Sequence, residues 1–273
     1  MSRKILGGGR IPIRLWVDQM EDGAMKQARN LSNLPFAFRH VAIMPDCHEG
    51  FGMPIGGVLA TTGVIIPNAV GVDIGCGMCA VKTSLRSIER DVLHKVVGTL
   101  KQVIPLGFSH HKLAQPEDLM PKNHDLRKLP VSSREYHSAR HQVGTLGGGN
   151  HFIEFQRGSD GHVWIMIHSG SRNIGKQVAD HYNRLAGKFN EQWGMPQFKQ
   201  QQLAYLPVDS DEGQTYISEM NYCIDFALAN RSLMMQRSLE VLGDLTGAVP
   251  LPFEGQEMIN IAHKGLSVCS VAD

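Results

Sequence analysis

Residues 151–170 read HFIEFQRGSDGHVWIMIHSG. Two runs rich in aromatic and β-branched residues, 151–157 and 162–170, flank Gly158, Ser159, Asp160 and Gly161, the pattern of two strands joined by a four-residue hairpin loop. Such a hairpin carries the ends bearing His151 and His168 to one place. Downstream, Ile174, Val178, Tyr182, Leu185, Phe189 and Trp193 recur every three or four residues and predict a helix. A second long helix is expected over 214–242, from Tyr216 through Met220, Ile224, Ala227 and Leu228 to Leu239, closed by Gly243.

Upstream, residues 40–46 (HVAIMPD) and 78–85 (MCAVKTSL) read as strands, and the glycine-rich stretch between them is too broken for a helix. The first third is therefore expected to be strands joined by tight loops. Ile88, Val92, Val96, Leu100 and Val103 have helical spacing, with Ser87 as N-cap and Glu89 and Asp91 in the first turn. Residues 105–143 carry several prolines, histidines and charges without sustained periodicity and read as an irregular or partly mobile excursion. Strands and helices without regular βαβ alternation predict an α+β fold.

The chain has 273 residues, 42% of them hydrophobic, ample for a packed core. With 27 basic against 26 acidic residues, the net charge of +1 gives no molecule-wide pull toward nucleic acid or membrane, so any polyanion must be held by a local patch. No apolar run approaches the ~18 residues of a membrane span, and the start, MSRKILGGGRIPIRLW, lacks the apolar core of a signal peptide. A soluble, cytoplasmic protein with no membrane partner is expected. Five cysteines (Cys47, Cys76, Cys79, Cys223, Cys269), an odd number, argue against a disulfide framework and for reduced thiols.

The densest chemical signal is VGVDIGCGM, residues 70–78. Asp73 and Cys76 lie three apart in a glycine-rich turn able to aim carboxylate and thiolate at one point, as a metal site requires. A buried small side chain beside a turn-capping aspartate explains the motif equally well. Cys76 and Cys79 have C-x-x-C spacing, but no second pair completes a zinc site. GTLGGGNHFIE, residues 144–154, is a glycine loop entering a strand, where free backbone N–H groups and Asn150 suit a phosphate. In VWIMIHSGSRNIG, residues 163–175, His168 ends an apolar strand and Arg172 opens the next helix, well placed for an anionic oxygen. A lone histidine there is most simply a hydrogen-bonded core residue, whereas two brought together by one hairpin, with an Asp/Cys pair elsewhere in the chain, favour ligands. Asp46, Cys47, His48 and Glu49 follow a strand, and four such residues in a row cannot all face one site.

Taken in order, MPDCHEG, VGVDIGCGM, GTLGGGNHFIE, HSGSRNIG and NIAH resemble the motifs of the RtcB family of RNA-splicing ligases, over about residues 10 to 263. The resemblance implies a single RtcB-like domain over 1–273, mixed strands and helices around a metal-binding cleft. It implies a ligase joining RNA ends with a 2′,3′-cyclic phosphate or 3′-phosphate to 5′-hydroxyl ends, using GTP and two Mn2+ ions, with an activator protein as a further partner. By the same resemblance Asp73, Cys76 and His151 would hold one metal, and Cys76, His168 and His263 the second. Asn150 and Glu154 would contact the nucleotide, Arg172 an RNA phosphate, and Asp46 would orient the nucleophilic histidine. That histidine belongs to an H-G-A-G-R motif, preceded in the family by I-P-G-S-M-G. Neither string occurs here, and after His263 the chain reads KGLSVCSVAD. The expectation is therefore a family member with its C-terminal part missing. The alternatives are a residual metal-dependent phosphohydrolase and a non-catalytic metal- or RNA-binding remnant.

Overall fold

The structure, a computed structural model, describes residues 4–263 and 265. Up to residue 72 it forms β1 (Lys4–Leu6), β2 (Ile13–Leu15), α1 (Asp22–Ser32), β3 (Ala37–His48), β4 (Ile55–Thr61), β5 (Val64–Ile65) and the short α2 (Pro67–Val70). Then come β6 (Gly77–Thr83), α3 (Arg90–Val103), α4 (Pro130–Arg140), β7 (Phe152–Arg157), β8 (Val163–Ser169) and α5 (Arg172–Gln192). The chain continues with α6 (Pro196–Gln200), β9 (Leu206–Pro207), α7 (Asp211–Thr246), β10 (Pro250–Leu251) and β11 (Ile259–Ala262). Separate sheets and helices of this kind are the expected α+β class. Among the described residues no helix is long and apolar enough to cross a membrane.

Contacts divide the chain into two compact units. Unit 1 takes residues up to Val72 together with Ala179–Ile217; unit 2 takes Asp73–Val178 and the chain from Ser218 onward. In unit 1 the four-stranded sheet runs β1-β2-β3-β4, with only β2 and β3 parallel. Alternate strand residues Ile13, Leu15, Val41 and Ile43 are buried with Ala24, Ala28 and Leu31 of α1 in one core. The expectation of strands and loops alone in the first third is thus corrected by α1. Its buried stripe is built from two alanines, one leucine and one serine, too slight to stand out as an apolar period.

In unit 2 the order is β10-β6-β8-β7, with β11 pairing the same edge of β6 as β10, and every pairing antiparallel. Cys79 and Val81 of β6 and Ile165 and Ile167 of β8 face Val96 and Leu100 of α3 and Met234, Met235 and Leu242 of α7. The β7–β8 hairpin forms as its two strand-prone runs and turn residues predict. Its register closes at Arg157↔Val163, so the loop is 158–162, five residues rather than four. Asp160 fastens that loop, accepting from His162 N at 3.0 Å and Trp164 Nε1 at 3.2 Å and pairing with Lys82 at 2.9 Å. These donors hold its carboxyl well below the usual range.

Three further boundaries differ from expectation. α3 begins at Arg90 after Glu89 and has no side-chain cap, so Ser87 is not its N-cap. α7 continues through Gly243 to Thr246, because Val241 and Leu242 are still packing into the core there. The 105–143 segment holds α4 and two 3-10 turns, Glu117–Leu119 and Leu126–Lys128. What fixes α4 is distant in sequence: the buried carboxylate of Glu219 accepts from Val131 N at 2.7 Å and Ser132 N at 3.0 Å, and also from the Ser132 hydroxyl. A carboxylate at a helix start satisfies N–H groups that have no partner within the helix. Glu219→Ala should therefore lower the unfolding free energy by about 2–4 kcal/mol, since several buried donors lose their acceptor; urea denaturation measures it.

Candidate metal centre

Pairing within the sheet delivers the ligand-type side chains to one spot. His168 of β8 lies opposite Met78 on β6 and Phe152 on β7, so Cys76, just before β6, and His151, just before β7, flank it. Cys76 Sγ stands 3.2 Å from His168 Nε2 and 3.7 Å from His151 Nε2, and Asp73 Oδ2 is 2.9 Å from His151 Nε2. β11 pairs Ala262 with Gly77 and so brings in His263, whose backbone N–H donates to Cys76 O at 2.9 Å. The His263 and His168 ring centroids are 5.2 Å apart. Asp73, Cys76 and His151 form one group, and Cys76, His168 and His263 another; within each, the ligand atoms lie within 4.8 Å of one another. Cys76 and His168 are buried, Asp73 and His151 half-buried, and His263 exposed.

The hydrogen-bond chemistry of the two imidazoles fits a cation. His151 Nδ1 lies 3.0 Å from Leu146 O, and His168 Nδ1 lies 3.0 Å from Asn150 O. A carbonyl only accepts, so each Nδ1 is the donor to its carbonyl, and the Nε2 atoms are the ones turned toward Cys76, that of His151 toward Asp73 as well. Metal-bound histidines are held in this way by a partner on the other nitrogen. Bonds of about 2.0–2.3 Å at right-angled to tetrahedral openings place neighbouring donors roughly 3 to 3.6 Å apart, close to the spacings found here. Gly170 admits the carboxylate: a Cβ there would collide with both Asp73 oxygens.

Cys79 takes no part. Strand alternation turns it to the opposite face of β6 from Met78, into the core, where its Sγ lies 3.9 Å from Arg231 O and burial pushes its pKa up to about 12. It should stay unlabelled by maleimide at pH 8 in the native protein and react only after unfolding, as peptide mapping would show.

The other residues singled out in the sequence differ in their exposure and partners. Arg172, at φ 59°, opens α5; its Nε donates to Thr145 Oγ1 at 3.2 Å and its Nη2 to Gly107 O at 3.3 Å. Gly147 leaves room for that guanidinium, which a Cβ would strike. Burial lowers the Arg172 pKa while the Asp73 charge opposes the shift, and an arginine so placed remains a cation. Asn150 contributes its carbonyl to His168, and its side chain is exposed. Glu154 is exposed opposite Met166, two residues along the strand from the Phe152–His168 pair and hence on the same sheet face. Asp46 belongs to unit 1, where its exposed carboxylate lies 2.8 Å from His48 Nε2. That contact raises the His48 pKa above the ordinary value. Cys269 lies outside the described residues.

Two residues that sequence reasoning missed hold the centre together. Asn230, buried in α7, accepts from Gly144 N at 2.7 Å and Thr145 N at 3.1 Å, and donates to Ser169 Oγ at 3.2 Å and Gly170 O at 3.1 Å. It thereby joins the glycine loop to the end of β8. Beside it Arg231, also buried, donates from Nη1 to Gly75 O at 2.8 Å and Ser169 O at 2.9 Å, and from Nε to Asn260 Oδ1 at 2.8 Å. The only signal in the letters is the polar Asn-Arg-Ser run, residues 230–232, interrupting the apolar residues of FALANRSLMM.

A thiol common to both groups and two histidines whose Nε2 atoms face it give the chain two sets of side chains that could hold a metal ion. The family follows from comparison: the model described as tRNA-splicing ligase RtcB matches residues 27–269, and the chain belongs to the RtcB family. It is 33% identical to the RNA-splicing ligase RtcB of Escherichia coli K12, over 90% of this chain and 64% of the relative. It is 30% identical to the tRNA-splicing ligase RtcB of Thermococcus kodakarensis, over 93% of this chain and 64% of the relative. Against the tRNA-splicing ligase RtcB of Nanoarchaeum equitans identity is 32%, over 84% and 58%. The chain thus spans less than two thirds of the length of these curated relatives.

Proposed function

We propose that this chain is the metal- and RNA-end-binding part of a GTP- and manganese-dependent ligase. Such a ligase joins RNA ends carrying a 2′,3′-cyclic phosphate or 3′-phosphate to 5′-hydroxyl ends, in tRNA splicing or RNA repair. The observation that carries the reading is the pair of ligand groups sharing Cys76 Sγ, with the Nδ1 atoms of His151 and His168 tied to backbone carbonyls. Asp73, Cys76 and His151 would hold one Mn2+, and Cys76, His168 and His263 a second. Bound there, a pair of cations supplies neutralisation of phosphate charge and polarisation of the attacking oxygen. Donor softness alone points as readily to zinc; manganese rests on the family.

The chain's own residues then have distinct tasks. Arg172, preset by Thr145 and Gly107, holds a phosphate of the RNA end. Asn150 and Glu154 bind the guanine nucleotide, and Asp46 orients the histidine that accepts GMP, a residue of the H-G-A-G-R string that these 273 residues do not include. A cytoplasmic setting agrees with the four described cysteines, all free thiols. An activator protein is the further partner.

The test uses short RNAs differing only at the 3′ end, titrated with the full chain in Mn2+. RNA ending in a 3′-phosphate or 2′,3′-cyclic phosphate should bind more tightly than its 3′-hydroxyl twin, and removing Mn2+ should abolish the difference. Equal binding of all three ends would refute the reading. With radiolabelled GTP the chain alone should form no covalent adduct.

A further inference from the structure

Phe108 is fully exposed, at 101% of its reference surface, and Leu113 nearby is 79% exposed. A lone exposed apolar side chain needs no explanation. The backbone beneath this one, however, is pinned. Ser109 N donates to Leu106 O at 3.0 Å, closing a turn with Gly107 and Phe108 at its tip. Gly107 N donates to Gly147 O at 2.8 Å, Leu146 N to Pro105 O at 3.0 Å, and Arg172 Nη2 to Gly107 O at 3.3 Å. On the far side His111 N donates to His141 O at 3.0 Å, and the His141 ring returns a bond to His111 O at 2.9 Å. An apolar ring is thus held out into water by a fixed turn bonded to the glycine loop whose Leu146 carbonyl also orients His151.

The surrounding charge identifies what such a ring would meet. Arg172 lies under the turn, exposed Lys112 follows it, and Arg237 Nη1 is 2.9 Å from His111 Nε2. Cations beside an exposed aromatic side chain are the elements of a single-strand nucleic-acid site: the charges take the backbone and the ring takes a base face. We propose that Phe108 is a stacking platform for an unpaired base next to the RNA end engaged at the metal centre, with Lys112 on an adjoining phosphate. This rests on the function proposed above and adds to it a base contact that tolerates any sequence. Chemistry at a strand end benefits because a stacked neighbour fixes the orientation of the terminal phosphate.

The experiment titrates the full chain in Mn2+ with 3′-phosphate RNAs in which an abasic nucleotide replaces each of the last four positions in turn. In the wild-type protein one or two positions should matter, with affinity falling about 5- to 100-fold when the base is missing. Phe108→Ala should bind intact RNA as weakly as the wild type binds that abasic RNA, Phe108→Trp should restore the base effect, and Leu113→Ala should resemble wild type. If Phe108→Ala distinguishes intact from abasic RNA as the wild type does, the platform is refuted. A loss confined to GTP binding would equally overturn it, because the base would then be the nucleotide's. The advantage of a 3′-phosphate over a 3′-hydroxyl, read on abasic RNA, reports on the metal centre alone and separates the two claims.

Discussion

Cys76→Ser is expected to remove both metals at once, because a single sulfur belongs to both ligand groups. Serine keeps the shape and the hydrogen-bonding reach but does not ionise near neutral pH, whereas a metal-bound thiol loses its proton readily and its sulfur can serve two cations. In the wild type, Mn2+ at a hundred times its dissociation constant should raise the unfolding free energy by about 2.7 kcal/mol per site. In Cys76→Ser the same Mn2+ should leave the denaturation curve where it is without metal. His263→Ala provides the contrast. It touches one group only, so bound manganese by elemental analysis should fall from two per chain to one, whereas Cys76→Ser should fall to none.

Arg231→Met should weaken the fold and the metal centre together. The guanidinium is buried, spans the Asp73–Cys76 turn through Gly75 O, the end of β8 through Ser169 O, and β11 through Asn260. Methionine fills the volume of the stem but provides no donor, so two buried acceptors and one half-buried acceptor lose a charged partner. Each such loss costs about 1–3 kcal/mol, offset in part because the charge need no longer be desolvated. A net loss of about 3 kcal/mol in urea-derived stability is expected, with weaker metal binding in the fraction that stays folded. Arg231→Lys should recover little, since an ammonium cannot bridge three divergent acceptors.

How much of this was legible in the letters depends on how local each cause is. The β7–β8 hairpin was readable because its two strand-prone runs and its turn residues lie within twenty residues, and with it the meeting of His151 and His168. The Asp73–Cys76 turn was readable as a candidate but ambiguous, since its meaning depends on Nδ1 partners contributed by Leu146 and Asn150. α1 escaped because alanines carry its buried face, and α4 because its N-terminal partner, Glu219, sits far along the chain. Asn230 and Arg231 escaped for the same reason: a polar residue in an apolar helix gives no hint of which loop it will clasp. His263 stood out only through family resemblance, as nothing local marks a histidine after a four-residue strand. Cys79 shows the opposite case, a suggestive C-x-x-C spacing undone by the two-residue period of a strand.

The central claim is that one thiolate is shared by two cations. Anomalous diffraction at the manganese edge, from crystals of the full chain grown in Mn2+, tests it directly. Two peaks should appear, both bonded to Cys76 Sγ, one also reached by Asp73 and His151 and the other by His168 and His263. A single peak that avoids Cys76, or manganese bound only at surface carboxylates, would contradict it.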